Sequence, residues 1–183
     1  MEAPEVLSSE DVYQGNVFSV SVDTIREGDK TYQRDVVRHP GSAAIVAVFD
    51  DHTVALVRQY RHPAVRYLVE IPAGSRDGFE APEECAAREL EEEMGLVAER
   101  FEKLTEFFVS PGYCAEKMWV YLATGLTETK PNPEDDEVIE IVRVSFARAL
   151  EMIEDGEIED AKTTIGLMLA ARYLGLTPVV AGN

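Results

Sequence analysis

Three glutamates, Glu89, Glu92 and Glu93, stand within five residues of one another directly behind an arginine, Arg88. Wound as a helix at about 100° per residue, the stretch gathers Ala86, Ala87, Leu90 and Met94 on one side and the three glutamates on the other. The apolar side can dock on a core. The acidic side sets like charges at i, i+3 and i+4, which mildly destabilises an isolated helix. It also sets them near the negative end of the helix dipole, where anions are disfavoured. A solvated face is the commoner fate of a Glu-rich helix, but carboxylates crowded in this way call for a positive ligand. Mg²⁺ is the natural candidate, with Mn²⁺ as its substitute, because a hard cation prefers carboxylate oxygens and keeps positions open for water and substrate phosphates.

Positioning such a cluster takes a strand, a tight loop and a capped helix, and the chain supplies them in that order. Residues 67–72, YLVEIP, read as a strand running into Gly74. Pro82 suits the first turn of the helix and Gly95, just past Met94, suits its stop. Gly74 and Gly95 stand where the chain must bend tightly beside a ligand. Read in full, residues 74–96 are GSRDGFEAPEECAARELEEEMGL.

This stretch resembles the Nudix box, GX5EX7REUXEEXGU with U a bulky aliphatic residue, and every defined position is met. The resemblance implies hydrolysis of a nucleoside diphosphate linked to another group, with Mg²⁺ and cleavage at a pyrophosphate bond. It implies Glu89, Glu92 and Glu93 as metal ligands, joined by the backbone carbonyl of Ala73 just ahead of the box glycine. Arg88 would orient those ligands by bidentate bonds, so Arg88 and Glu92 count with the catalytic group, and Glu80 would pair with Arg88. The fold implied is α/β (α+β): a mixed β-sheet sandwiched between helices, with the box as a loop-helix-loop on one side.

A second set of residues narrows the resemblance to ADP-ribose pyrophosphatases. Pro111 lies fifteen residues after Leu96, within Ser110-Pro111-Gly112, and the segment running to Glu116-Lys117 is similar to theirs. Pro111 and Gly112 are therefore expected at the substrate, although proline in a loop between strands is commonplace. In VRQYRHP, Arg58 and Arg61 end a strand near the box, and Arg61 matches a phosphate-binding arginine of the family. The base that takes the proton from water lies outside the box in several Nudix subfamilies. The acidic loop 132–140 offers Glu134, Asp135, Asp136, Glu137 and Glu140, and Glu137 is favoured because DDEVIEI resembles the end of that loop in the subfamily.

The 183 residues of the chain suit one compact domain with a small appended sheet. Residues 12–37 alternate in strand fashion, with Val17, Ser19 and Ser21 on one side, Phe18, Val20 and Val22 on the other, and a turn at Glu27-Gly28-Asp29. The expected division is 1–40 as N-terminal antiparallel strands, 41–176 as the Nudix domain and 177–183 as a flexible tail. The run 43–49, AAIVAVF, fits a strand buried on both faces. Further strands are expected at 53–59, 101–109, 117–123 and 138–144, and helices at 145–155 and 163–173. Trp119 is expected in the core, and His39, His52 and His62 in structural roles.

A formal net charge of −18 argues against nucleic acid, whose binders need a basic footprint, and against an anionic membrane surface. It also repels anionic substrates at long range, so bound metal and local arginines must reverse the field. The N-terminal sequence carries no basic and apolar leader pattern, and Cys85 and Cys114 are too few for a disulfide framework. Cytoplasmic residence is the expectation. An isolated two-stranded sheet is marginal, and the family exchanges this region between subunits, so a homodimer is expected. The substrate expected is ADP-ribose or a related nucleoside diphosphate sugar, giving AMP and ribose 5-phosphate. The alternatives are another nucleotide (a sugar nucleotide, NADH or a dinucleoside polyphosphate) or a module that senses a nucleotide without cleaving it.

Overall fold

The computed structural model describes residues 3–132 and 138–176. Its first three strands, β1 (Glu5–Gln14), β2 (Ser19–Glu27) and β3 (Lys30–Arg38), make an antiparallel sheet in that order. The expected turn joins β2 to β3 by pairing Glu27 with Lys30, and Gly28 takes the positive φ of 58° that so tight a hairpin requires. Strand β1 adds to the pair expected. All of its residues are exposed, so EVLSSEDVYQ has no inward face to register as an alternating pattern. Alternation does hold along β2, with Ser21 and Asp23 as the fully buried set. Asp23 accepts bonds from Ser9 at 2.6 Å, Ser21 at 3.1 Å and Arg38. The Ser9 bond, aided by those from Arg38 and Ser21, outweighs burial and holds the carboxyl below its usual range.

The other strands are β4 (Ser42–Val48), β5 (Thr53–Arg61), β6 (Arg66–Glu70), β7 (Ala73–Ser75), β8 (Leu96–Phe108), β9 (Lys117–Glu128) and β10 (Ile139–Ser145). They form a seven-stranded mixed sheet ordered β10-β5-β4-β9-β8, with β6 on β5 and β7 on β4. Central β4 runs parallel to β9 and is shared along its other edge. Ser42 to Ala44 pair with β7, only Ala47 and Val48 pair with β5, and the Ile45 amide between them donates to the Pro72 carbonyl at 2.9 Å. The sheet forks there: β5 leaves β4 to pair with β6, and β7 takes its place.

Three helices, α1 (Pro82–Met94), α2 (Phe146–Glu154) and α3 (Ala161–Leu174), cover the two faces. Period-two alternation divides β4 between them. Ala43, Ile45 and Ala47 pack with Ala86, Leu90 and Met94 of α1, whereas Ala44, Val46 and Val48 pack with Phe146 of α2 and Leu167 and Ala170 of α3. Both faces of the strand are therefore buried, as the unbroken apolar run implied, and the mixed sheet lies between helices. Helix α3 sits close: a Cβ at Gly166 would come within 3.0 Å of both Ile71 Cδ1 and Val46 Cγ2. Trp119 departs from expectation. It is half-buried rather than core, because its indole N–H needs a partner and finds Glu106 Oε2 at 3.0 Å while Arg76 lies over the ring. Among the described residues no helix is long and apolar enough to cross a membrane.

Candidate active site

The fork in the sheet delivers β7 to the foot of the box. Ala73 and Gly74 pair with Ala44 and Ala43, and the loop then climbs to α1. Pro82 opens the helix, and the Glu84 carboxylate accepts from the Ala81 amide at 3.0 Å, satisfying an otherwise orphan donor at the entry. Gly95 closes the helix with a φ of 61°, its amide donating to Glu91 at 2.9 Å. The loop after β9 packs on this end, with the Thr129 amide donating to Gly95 at 2.7 Å and the Asn132 amide to Glu92 at 2.9 Å.

Arg88 is the hub of the box. Its Nε and Nη2 grip the two oxygens of Glu80 at 2.9 and 3.0 Å, its Nη1 reaches Glu89 at 2.7 Å and Glu92 at 3.0 Å, and Nη2 also donates to the Ser75 carbonyl at 3.0 Å. The Arg88 bond outweighs burial and holds the Glu80 carboxyl low, and Glu80 in turn raises the arginine. Thus the expected Arg88–Glu80 pair forms, and the same guanidinium ties two of the expected metal ligands to the loop. Glu89 and Glu93 are 8% and 3% exposed, one turn apart on the helix. Gly74 lies against Glu89 so closely that a Cβ there would stand 1.9 Å from Oε1. Burial pushes the neighbouring Cys85 thiol up to about 12, with the charges of Glu89 and Glu80 adding to it, so Cys85 is an inert filler.

These residues fit a divalent cation. The donors are carboxylate oxygens, they are crowded on a mostly buried face, and the loop beneath them is cleared by a glycine; hard Mg²⁺ or Mn²⁺ suits that set. Glu89, Glu92 and Glu93 would hold it, with the Ala73 carbonyl alongside. Among the described residues no three His, Cys, Asp or Glu side chains converge as a finished ligand group, and Arg88 is the cation that Glu89 and Glu92 face.

Ala73, Gly74 and Ser75 border a cleft of about 430 Å³ whose lining also includes His39, Ser42, Arg61, Phe108, Glu116 and Lys162. Arg61 is brought into this cleft and Arg58 is not. They stand three positions apart on β5 and so point to opposite faces. Arg58 pairs across the sheet with Glu140 at 3.0 Å and lies over the Tyr67 ring. Arg61 grips Glu70 with Nε and Nη2, each at 2.8 Å, and Lys162 and Asp160 complete the cluster. Burial pushes the Glu70 carboxyl up, but the bonds from Arg61 and Lys162 overcome it and keep the group below its usual range.

The loop carrying Pro111 and Gly112 is anchored to the N-terminal sheet by Val37, which donates to Tyr113 at 2.8 Å and accepts from Ala115 at 2.9 Å. The cleft is lined by the residues that flank this turn, Phe107 to Val109 and Glu116, while Pro111 and Gly112 form its exposed tip. Glu134, Asp135, Asp136 and Glu137 lie outside the described residues, and Glu140 stands on β10, exposed. His39, set aside by sequence, borders the cleft: its Nδ1 accepts from the Gly41 amide at 3.0 Å, and Ser75 Oγ lies 3.4 Å from Nε2. Glu70, Asp160 and Lys162 were also missed. A glutamate inside the apolar strand YLVEIP was the available signal, because a carboxylate there needs a buried cation.

The chain is similar to known proteins over most of its length. The chain is 38% identical over 175 residues to the ADP-ribose pyrophosphatase of Bacillus subtilis (strain 168), covering 94% of this chain and 92% of the relative. It is 35% identical, with the same coverage, to the methanol dehydrogenase activator of Bacillus methanolicus. A crystal structure of an ADP compounds hydrolase superposes with a TM-score of 0.80 at 25% identity, covering 96% of each chain. The NUDIX domain model matches residues 38–165, spanning β4 to the first turns of α3. With the box complete in sequence, held together by Arg88 and set on the fork of a mixed sheet, the chain belongs to the Nudix family.

Proposed function

We propose that this protein is a Mg²⁺-dependent pyrophosphohydrolase of ADP-ribose that releases AMP and ribose 5-phosphate. The observation that carries the reading is the shared cleft: the box loop, Ala73 to Ser75, and the Arg61 guanidinium border the same 430 Å³ space. Arg61 grips a diphosphate oxygen from one side. The acidic helix face meets the diphosphate from the other, where its charge alone would repel an anion. Glu89, Glu92 and Glu93 would hold Mg²⁺ or Mn²⁺ there, and the bound ion would reverse the sign of the field, polarise phosphoryl oxygens and acidify water. Arg88 orients Glu89 and Glu92, which keeps the cluster assembled without further ordering during the reaction. Glu137 takes the proton from the attacking water, and the sugar end lies toward the Pro111-Gly112 turn, whose flanking residues Phe108 and Glu116 line the cleft.

The organisation of the chain is part of the same proposal. Residues 1–40 form a dimerisation arm, 41–176 the catalytic unit and 177–183 a tail. Val6, Leu7, Val12 and Tyr13 of β1 are exposed, and a second copy covering them is the reason for proposing a homodimer. Sedimentation that finds only monomer at working concentration contradicts it. Both cysteines are free, which suits the reducing cytoplasm.

Purified protein incubated with ADP-ribose and Mg²⁺ is expected to yield equal amounts of AMP and ribose 5-phosphate by chromatography. Parallel incubations with GDP-mannose, NADH and a dinucleoside polyphosphate rank the alternatives. Cleavage of one of these with ADP-ribose untouched overturns the substrate. Binding of ADP-ribose without cleavage in either Mg²⁺ or Mn²⁺ makes the protein a sensor.

A further inference from the structure

Lys162 occupies a position where a lysine is out of place. It follows Asp160, the N-cap of α3, by two residues, and a cation in the first turn opposes the helix dipole, whose N-terminal end favours acids. Its side chain is nonetheless only 12% exposed. The ammonium meets Glu70, whose side chain is 1% exposed, and Asp160 Oδ2 at 3.0 Å. Asp160 is itself pinned by the Thr163 amide at 2.9 Å, and Thr163 Oγ1 accepts from the Ile71 amide, also at 2.9 Å, next to Glu70. Glu70 then spends both oxygens on the Nε–Nη2 edge of Arg61. That bidentate grip leaves the Nη1 edge of the guanidinium for a ligand, and the Arg61 side chain, 39% exposed, borders the cleft.

We propose that Lys162 is a positioning residue for the diphosphate: acting through Glu70, it fixes the direction in which Arg61 presents its remaining N–H groups. The proposal rests on the reading of Arg61 as the phosphate ligand. Arg61, Lys162, Glu70 and Asp160 cancel one another in charge, and Glu93 adds a further negative charge within coulombic reach of Arg61. Removing the ammonium leaves a net negative charge beside the incoming anion and takes one donor from a buried carboxylate. Arg61 must then serve Glu70 alone, and its positive field no longer reaches the cleft undiminished. Lys162 also borders the cleft, but two of its three ammonium N–H groups are taken by Glu70 and Asp160, so its effect is assigned to the clamp.

The test compares wild type with Lys162→Met, Lys162→Gln and Lys162→Arg, each checked for folding by its thermal midpoint. ADP is titrated calorimetrically, in Mg²⁺ and again in EDTA, and ADP-ribose turnover is followed separately. Removing the charge is expected to weaken ADP binding about tenfold in both media and to raise KM by a similar factor, the scale of one charge-assisted hydrogen bond, with kcat changed much less. Lys162→Arg restores most of the affinity. Lys162→Gln, which keeps amide donors, carries the test if the methionine variant does not fold. Folded charge-free variants that bind ADP as wild type does overturn the positioning role. A wild type that binds ADP but leaves ADP-ribose intact overturns the catalytic reading while the Lys162 comparison still decides the clamp. A wild type that does not bind ADP overturns both.

Discussion

Glu89 lies directly over Gly74, so that a methyl group added to the glycine would stand 1.9 Å from Glu89 Oε1 and 2.0 Å from its Cδ. The contact explains why a side chain is missing at the foot of the box more directly than backbone conformation does, since Gly74 has no positive φ. Even alanine must displace the carboxylate. Gly74→Ala is therefore expected to lower turnover at least about a hundredfold, as misplacement of a catalytic group by an ångström can. Folding should be weakened by only about 1–2 kcal/mol, the range of an overpacked site. Steady-state rates beside a urea titration measure the two effects. A near-normal rate would show that Glu89 need not stay where the structure puts it.

Arg88 should not tolerate lysine. Its planar fork serves Glu80, Glu89, Glu92 and the Ser75 carbonyl at once, and a single ammonium cannot reproduce that geometry. Arg88→Lys is expected to cost about 2 kcal/mol of stability, several partly screened charged bonds being weakened. It should also lower kcat more than it raises KM, because the ligand glutamates lose their orientation. Unchanged kinetics would reduce Arg88 to a stabilising residue.

Val65 offers a gain. It holds a φ of 55° and a ψ of 34°, left-handed values unusual for a β-branched residue, at a position 74% exposed. Asparagine accepts this region far more readily. Val65→Asn is expected to raise stability by about 1 kcal/mol, read as a higher urea midpoint with an unchanged slope. A lower midpoint would show that the turn does not carry this strain.

Stability should pass through a maximum on acidification. The Arg61 and Lys162 bonds overcome burial to hold Glu70 below its usual range, and Arg88 does the same for Glu80. Lys103 and Lys117 bring Glu106 down to about 2. A carboxyl whose folded pKa lies below its unfolded value stabilises fully above the unfolded value, about 4.3. That contribution disappears as pH falls through the folded pKa. Above that window the formal net charge of −18 works the other way, because partial protonation relieves self-repulsion. The thermal midpoint should peak near about pH 5 and fall steadily below about pH 4. A midpoint still rising at pH 3 would contradict these assignments.

What the sequence disclosed and withheld follows from where the information lies. Strand β4 was legible because all seven of its residues are buried and all but Ser42 are apolar. The box was legible because Glu80, Arg88, Glu89 and Glu92 are bound into one local network. Strand β1 was not, since it is exposed throughout and becomes a strand by pairing with β2. The two arginines show the limit most plainly. Arg58 and Arg61 look alike in VRQYRHP, yet one pairs with Glu140 on β10 and the other with Glu70 under α3. Only the sheet order and the arrival of α3, which brings Lys162 to Glu70 from 92 residues further along the chain, separate them.

The central claim is that the acidic face of α1 is the reacting centre, and Glu93→Gln in a paired assay tests it most directly. Wild type and variant are incubated with ADP-ribose and saturating Mg²⁺, AMP is quantified over time, and thermal midpoints are recorded in the same buffer. The expected result is AMP from wild type and a loss of at least about a hundredfold in the variant, with a midpoint equal or higher because one of several crowded like charges is gone. A folded Glu93→Gln protein that releases AMP at the wild-type rate would place the metal and the chemistry elsewhere.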